Sequence, residues 1–322
     1  MPRSAQDELL ALRECEENPS LEDALDRLRR GLSSKRNRTV ERAAKLAAAQ
    51  QRRELLDDLA GTYQRFLGEP RKTDPGCLAK TAIVEALWQL EYPEADFFLQ
   101  GIRYYSYEPG FGGETDSAAR LRACCGFALI QQSHPRALEE LVDLLADTEK
   151  TARAGAARAI AHGGGRESTL LLRLKVLLGD SSPEVLGECF SGLLQLEGEE
   201  AIPRVAKYLQ APEEDVRCEA AIALGETHSL IALQHLEMQI HKADSREYER
   251  ILYSAIGLLS LSEAVDYLLS LVTSENVQQS ILAIKGLTHC RDRQMIEQRL
   301  ARAVEESGNR MLLQTFREEF LQ

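Results

Sequence analysis

Apolar residues along this chain recur at helical spacing, and one pairing returns at a near-fixed interval. A small residue stands directly before a large aliphatic one at Ala86-Leu87, Ala128-Leu129, Ala159-Ile160, Gly192-Leu193, Ala223-Leu224, Gly257-Leu258 and Gly286-Leu287. The steps between them are 42, 31, 33, 31, 34 and 29 residues. A period of about 32 predicts a repeat architecture, in which each unit buries its apolar face only by stacking on its neighbours. Around the fifth pair, Val216, Ala220, Ala223 and Leu224 fall at i, i+4, i+7 and i+8, the stripe of an amphipathic helix. A second apolar helix follows each pair, as in Leu138, Leu141, Val142 and Leu145, or Leu170, Leu171, Leu174 and Leu178. Each repeat therefore reads as a helical hairpin.

The small residue has a physical job, since it lets two helix backbones approach closely between layers. A short oxygen-bearing residue stands thirteen positions before most of the aliphatic anchors: Asp74, Asp116, Asp147, Asp180 and Ser274. These are expected to start the helices by accepting bonds from unpaired N–H groups. Residues 73–303 then form seven hairpins, with an insertion at 104–116 that accounts for the one long step. Residues 1–72 also read as helical, near Gln6–Glu17, from Ser20 as a cap through Leu32, and over Thr39–Leu67 with a break at Gly61. They are expected to cap the first repeat, with Val40-Glu41-Arg42-Ala43-Ala44 as a diverged repeat. Residues 304–322 are expected to cap the other end.

The stretch Asp215-Val216-Arg217-Cys218-Glu219-Ala220-Ala221-Ile222-Ala223-Leu224-Gly225 resembles HEAT repeats, particularly the short bacterial type named after phycobilin lyase subunits. Arg122 and Arg153 repeat its arginine and Lys80 keeps the charge, whereas Leu186, Ile251 and Ser280 depart from it. The resemblance implies an all-α fold, a right-handed α-solenoid of HEAT-like hairpins with a helical N-terminal cap. It implies a binding surface more than a catalyst, so the leading reading is a non-catalytic scaffold for another protein. The second helix of each unit commonly lines the concave face in this architecture, which nominates Glu139, Asp143, Arg173, Arg204, Lys207, Gln234, Glu237 and Asp266. The alternative implied by the resemblance is a lyase-like or chaperone-like factor that handles a tetrapyrrole for attachment to a protein.

Charge narrows the partner. The chain carries −12 overall, and the repeats after residue 72 carry −14 against +2 for the segment before them. That balance disfavours duplex DNA and anionic membranes, including the groove a HEAT-like DNA glycosylase needs, and favours a basic or mixed-charge protein. No stretch approaches the ~20 apolar residues of a membrane span. The N-terminus runs straight into charged sequence without a secretory signal, and seven cysteines without a C-x-x-C pair suit a reducing cytoplasm.

Candidate chemistry concentrates in the insertion. Tyr104, Tyr105, Tyr107 and Phe111 lie there among three glycines and Pro109, and aromatics on loops are common binding anchors. Arg103, Arg120 and Arg122 flank them as candidate anion contacts. The plain alternative is a loop that packs on the edge of the stack. Lys35–Arg53 holds seven cations and one acid, and Arg38, Arg42, Lys45, Arg52 and Arg53 can share a helical ridge. This reads as a solvated face or a contact with acids of the same chain. Deoxyhypusine hydroxylase, which the repeat type also resembles, holds two irons with His-Glu pairs. Here the matching place is Cys218-Glu219 and no His-Glu dipeptide occurs, so neither metal nor cofactor is expected. Gly163-Gly164-Gly165-Arg166 lacks phosphate-loop spacing and reads as a turn.

Overall fold

The computed structural model describes residues 5–110 and 113–321. They form two compact units, residues 1–163 and 164–322, each built of helices. Two four-residue strands are the one exception among the described residues. Each unit stacks helical hairpins in the manner of an α-solenoid.

In the first unit, helices Leu78–Gln89, Ala119–Gln131 and Lys150–Gly163 carry the first three small–aliphatic pairs, and each packs on the next. Their anchors Leu87, Leu129 and Ile160 have no exposed surface. Helices Ala95–Gly101 and Ala137–Leu145 run between them as second helices. Asn37–Ala49 lies against Leu78–Gln89, and its Val40, Ala43, Ala44 and Ala47 are all fully buried. Two expectations for this region are corrected. The turn after Asn37–Ala49 falls at residues 50–52, where Gln51 takes a left-handed φ of 53°, while Gly61 sits inside the unbroken helix Leu56–Arg65. The second helix starts at Ala24 and Ser20 lies before it in a turn.

In the second unit, Pro183–Glu197, Glu214–Gly225, Arg246–Leu258 and Val277–Leu287 carry the remaining pairs. Gly165–Leu178, Ile202–Ala206, Leu230–Ile240, Ser262–Val272 and Arg293–Ser307 supply the other layer, and Arg310–Phe320 closes the unit on Leu312, Phe316 and Phe320. The small residues here bring backbones together more closely than a methyl group permits. A Cβ on Gly257 would lie 2.0 Å from the Gly286 carbonyl oxygen, and one on Gly225 would lie 2.5 Å from that of Ala255. In the sixth pair Leu258 is half-buried and Leu259 takes the buried place.

The residues thirteen before the anchors do more than start helices. In the second unit the side chain that caps Val277–Leu287 is that of Asn276, not Ser274, and Ser245 caps Arg246–Leu258. In the first unit Asp74 accepts from the backbone of Ala79 and Lys80 and also holds the Lys80 ammonium at 2.7 Å, with both side chains fully buried. The aspartate and the cation six residues later are one structural element. Burying either charge alone is costly, and the pair is tolerated because every lone pair finds a donor.

Candidate functional site

The insertion is not an irregular loop. Tyr107–Gly110 and Gly113–Asp116 pair as an antiparallel β-hairpin, with Tyr107 opposite Asp116 and Gly110 opposite Gly113. Phe111 lies outside the described residues. Strand geometry puts residues two apart on one face, and Tyr105 and Tyr107 accordingly stack in parallel, centroids 6.1 Å apart and planes 6° apart. Each keeps 47% of its surface exposed. Tyr104 turns the other way, half-buried, with the Lys80 ammonium 5.7 Å from its ring centre.

The base of the hairpin is held by the repeat's own charge ladder. Arg122 is fully buried and binds Asp116 at 2.5 Å, Asp147 at 2.9 Å and the Tyr104 carbonyl at 3.0 Å. Its guanidinium lies 4.1 Å from the centre of the Tyr105 ring, a cation–π contact that fixes the first exposed aromatic. Asp116 in turn accepts from the backbone of Ser106 and Ala118. Further out, the Glu108 carboxylate accepts from the Gly76 amide at 2.8 and 2.9 Å and from the Ser117 hydroxyl, and Arg71 reaches Glu114. The result is a braced platform that carries two half-exposed tyrosines.

The flanking arginines do not serve as free anion contacts. Arg122 has no exposed surface, Arg103 forms a two-pronged pair with Glu140, and Arg120 binds Glu85 at 2.6 Å. The Glu140 carboxyl is held below its usual range by the Arg103 hydrogen bond. All three of these candidate anion contacts are paired with carboxylates of the same chain. The pairing was foreshadowed only at Arg122, by the aspartates at 116 and 147.

The cationic ridge of the first segment also dissolves. Arg42 binds Glu16, Lys45 binds Glu41 and Arg53 binds Glu91, while Arg52 reaches the Pro19 carbonyl from outside the helix. The cysteines are core residues: Cys124 and Cys189 are buried with thiols pushed up to about 12 by desolvation, and Cys218 is half-buried. Among the described residues no group of three or more His, Cys, Asp or Glu is placed to hold a metal ion, and no helix is long and apolar enough to cross a membrane.

Of the residues nominated on the second helices, Glu139 and Asp266 are tied up by Arg136 and Arg299. Three others meet in the second unit. Arg173, Arg204 and Lys207 border a cavity of about 200 Å³ walled by Val176, Leu177, Phe190, Leu193, Val205 and Tyr208. The sequence signal for this group was present in the second-helix positions, but nothing in the spacing said that these three converge.

Residues 170–257 match the family of HEAT repeats. No curated protein matches the chain. Among solved structures, the complex of CpcE and CpcF of phycocyanin lyase from Nostoc is similar at 15% identity, covering 77% of this chain and 94% of that one, with a TM-score of 0.40. Human deoxyhypusine hydroxylase is similar at 19% identity over 80% of this chain and 91% of its own, TM-score 0.32. An engineered protein covers all of this chain and 95% of its own at 16% identity, TM-score 0.39.

Proposed function

We propose that this chain is a non-catalytic scaffold that binds another protein, with the tyrosine platform at 104–116 as its anchor in the first unit. The observation that carries the reading is the parallel Tyr105–Tyr107 stack, half exposed on a hairpin whose base is locked by buried ion pairs. Tyrosine gives large contact area at low entropic cost when its backbone is already fixed, which is what interface hot spots require. The acidic balance of the repeats favours a partner of basic or mixed charge.

The test is affinity capture from native lysate with quantitative mass spectrometry, comparing the parent chain with the Tyr105→Ala, Tyr107→Ala double variant. The expected result is at least one protein whose recovery falls about tenfold or more with the double variant. Thermal unfolding controls for the lost Arg122 cation–π contact. An unchanged capture profile with an unchanged melting curve would remove the hairpin from the binding surface.

A further inference from the structure

The second unit carries a surface that the hairpin does not account for. Helix Gly165–Leu178 leaves Leu170, Leu174, Leu177 and Leu178 exposed at 52, 53, 75 and 75%. These positions are i, i+4, i+7 and i+8, with Arg173 at i+3, so they share one face. The face runs over residues 170–178, about 12 Å along the axis. It leads into the cavity described above, which Leu177 and Arg173 enter from this helix.

The cavity's floor is apolar and its rim is cationic. Phe190 is fully buried at the base, with the Tyr208 ring 4.8 Å from it. Arg173 and Lys207 are exposed, and no acid pairs with either among the described residues. Arg204 reaches Glu197, yet its Nε is buried without any acceptor. A buried N–H left unpaired costs free energy that an incoming oxygen recovers. In a chain of net charge −12 this is a local inversion of sign.

We infer that this face of the second unit is a docking site for an acidic amphipathic segment of another protein. One large apolar side chain of the segment fills the cavity, flanking carboxylates meet Arg173, Arg204 and Lys207, and the leucine row takes the next apolar turns. The charge complementarity selects an acidic rather than a basic segment. The length of the leucine row selects a polypeptide rather than a small amphiphile, because the apolar contact continues well beyond the cavity. This site stands apart from the tyrosine platform and does not depend on it.

The experiment uses the full chain and a fluorescein-labelled synthetic helix of fourteen to sixteen residues, by design about four turns. The peptide has leucine or phenylalanine at i, i+4 and i+7 and glutamate between, and an otherwise identical peptide carries lysine for glutamate. Fluorescence polarisation is expected to show saturable binding of the glutamate peptide that weakens with salt, and little or none of the lysine peptide. The Arg173→Glu, Lys207→Glu double variant is expected to weaken the glutamate peptide by about tenfold or more and to improve the lysine peptide. Leu174→Gln should weaken the glutamate peptide, and it keeps the fold because that side chain is already in water. The Tyr105→Ala, Tyr107→Ala variant should bind the peptide as the parent does, which separates this site from the one proposed above. Equal affinity for both peptides, indifference to the charge reversal, or no binding of the glutamate peptide would each overturn the proposal. Binding of dodecanoate at this cavity without the peptide would replace it with a site for a small carboxylate amphiphile.

Discussion

Arg122 and Arg217 stand at the same place in their repeats, seven residues before the anchors Leu129 and Leu224, and they are held in different ways. In the first unit Arg122 is fully buried between two carboxylates and packs over Tyr105 of the hairpin. In the second unit Arg217 binds the carbonyls of Ala211 and Pro212 and the Asp244 carboxylate, whose side chain is 69% exposed, with the Glu214 carboxylate farther off at 3.8 Å. Its guanidinium packs over Tyr248, 4.9 Å from the ring centre. Two positions differ. Where the first unit has Asp116 the second has Ala211, whose carbonyl and that of Pro212 take the lost carboxylate's place, and the next repeat supplies an exposed Asp244 where the first unit has the buried Asp147. The ladder tolerates a missing rung because an arginine has five donors and accepts several kinds of oxygen.

The largest expected effect follows from this pair. Arg122→Met leaves Asp116 and Asp147 buried without their cation, which should cost about 3–5 kcal/mol. Arg217→Met frees two acids that water already reaches and should cost about 1 kcal/mol, mainly for the two carbonyls. Urea denaturation of both variants measures the two losses. Equal losses would mean that the buried carboxylates are not what distinguishes the first unit.

Glycines sharpen the comparison with opposite signs. Gly257→Ala in the second unit forces a methyl group against the backbone of Gly286, which cannot yield, and should destabilise by about 1–3 kcal/mol. Gly61→Ala in the first unit adds a methyl to a helix interior where nothing lies within 4 Å. It should stabilise by roughly 0.5–1 kcal/mol by restricting the unfolded chain. A destabilising Gly61→Ala would show that the helix Leu56–Arg65 is under strain there.

Periodicity carried most of the architecture. The small–aliphatic pairs mark the first helix of every hairpin because stacking forces the same solution on each repeat. At Gly257 and Gly286 the requirement is so tight that only glycine satisfies it. What periodicity lacked was the identity of partners. Asp116 read as a helix start because the local rule for short acids is capping, whereas its decisive partner is Arg122, six residues on and folded back beneath the hairpin. The strands at 107–116 were hidden for a different reason. Glycine and proline supply turn signals, and the hairpin is braced by the Gly76 amide, more than thirty residues away, donating to Glu108. The cationic cavity was likewise legible residue by residue, at Arg173, Arg204 and Lys207, but convergence is a property of helix packing and not of spacing.

The smallest effects concern two half-sequestered glutamates that the units treat in contrary ways. In the first unit Glu140 is held low by the hydrogen bond from Arg103, with Arg103 and Arg136 as nearby cations. A carboxylate whose folded pKa is depressed contributes stability above its unfolded pKa, and that contribution is lost as pH falls through the folded value. In the second unit Glu219 is pushed up, first by burial and then by the like charges of Glu184, Glu188 and Asp215. Its contribution is present in full below the unfolded pKa, about 4.3 for glutamate. It is lost as pH rises through the raised folded value, so at pH about 7 the ionised side chain weakens the fold. Glu140→Gln should therefore lower the melting temperature at neutral pH, and Glu219→Gln should raise it. The Glu219 difference should vanish below pH about 4, whereas the Glu140 difference should persist to lower pH and fade only as pH drops through its depressed folded value. Shifts of the same sign at neutral pH would contradict the contrast between a carboxylate bonded to a cation at Glu140 and one raised by burial and like charge at Glu219.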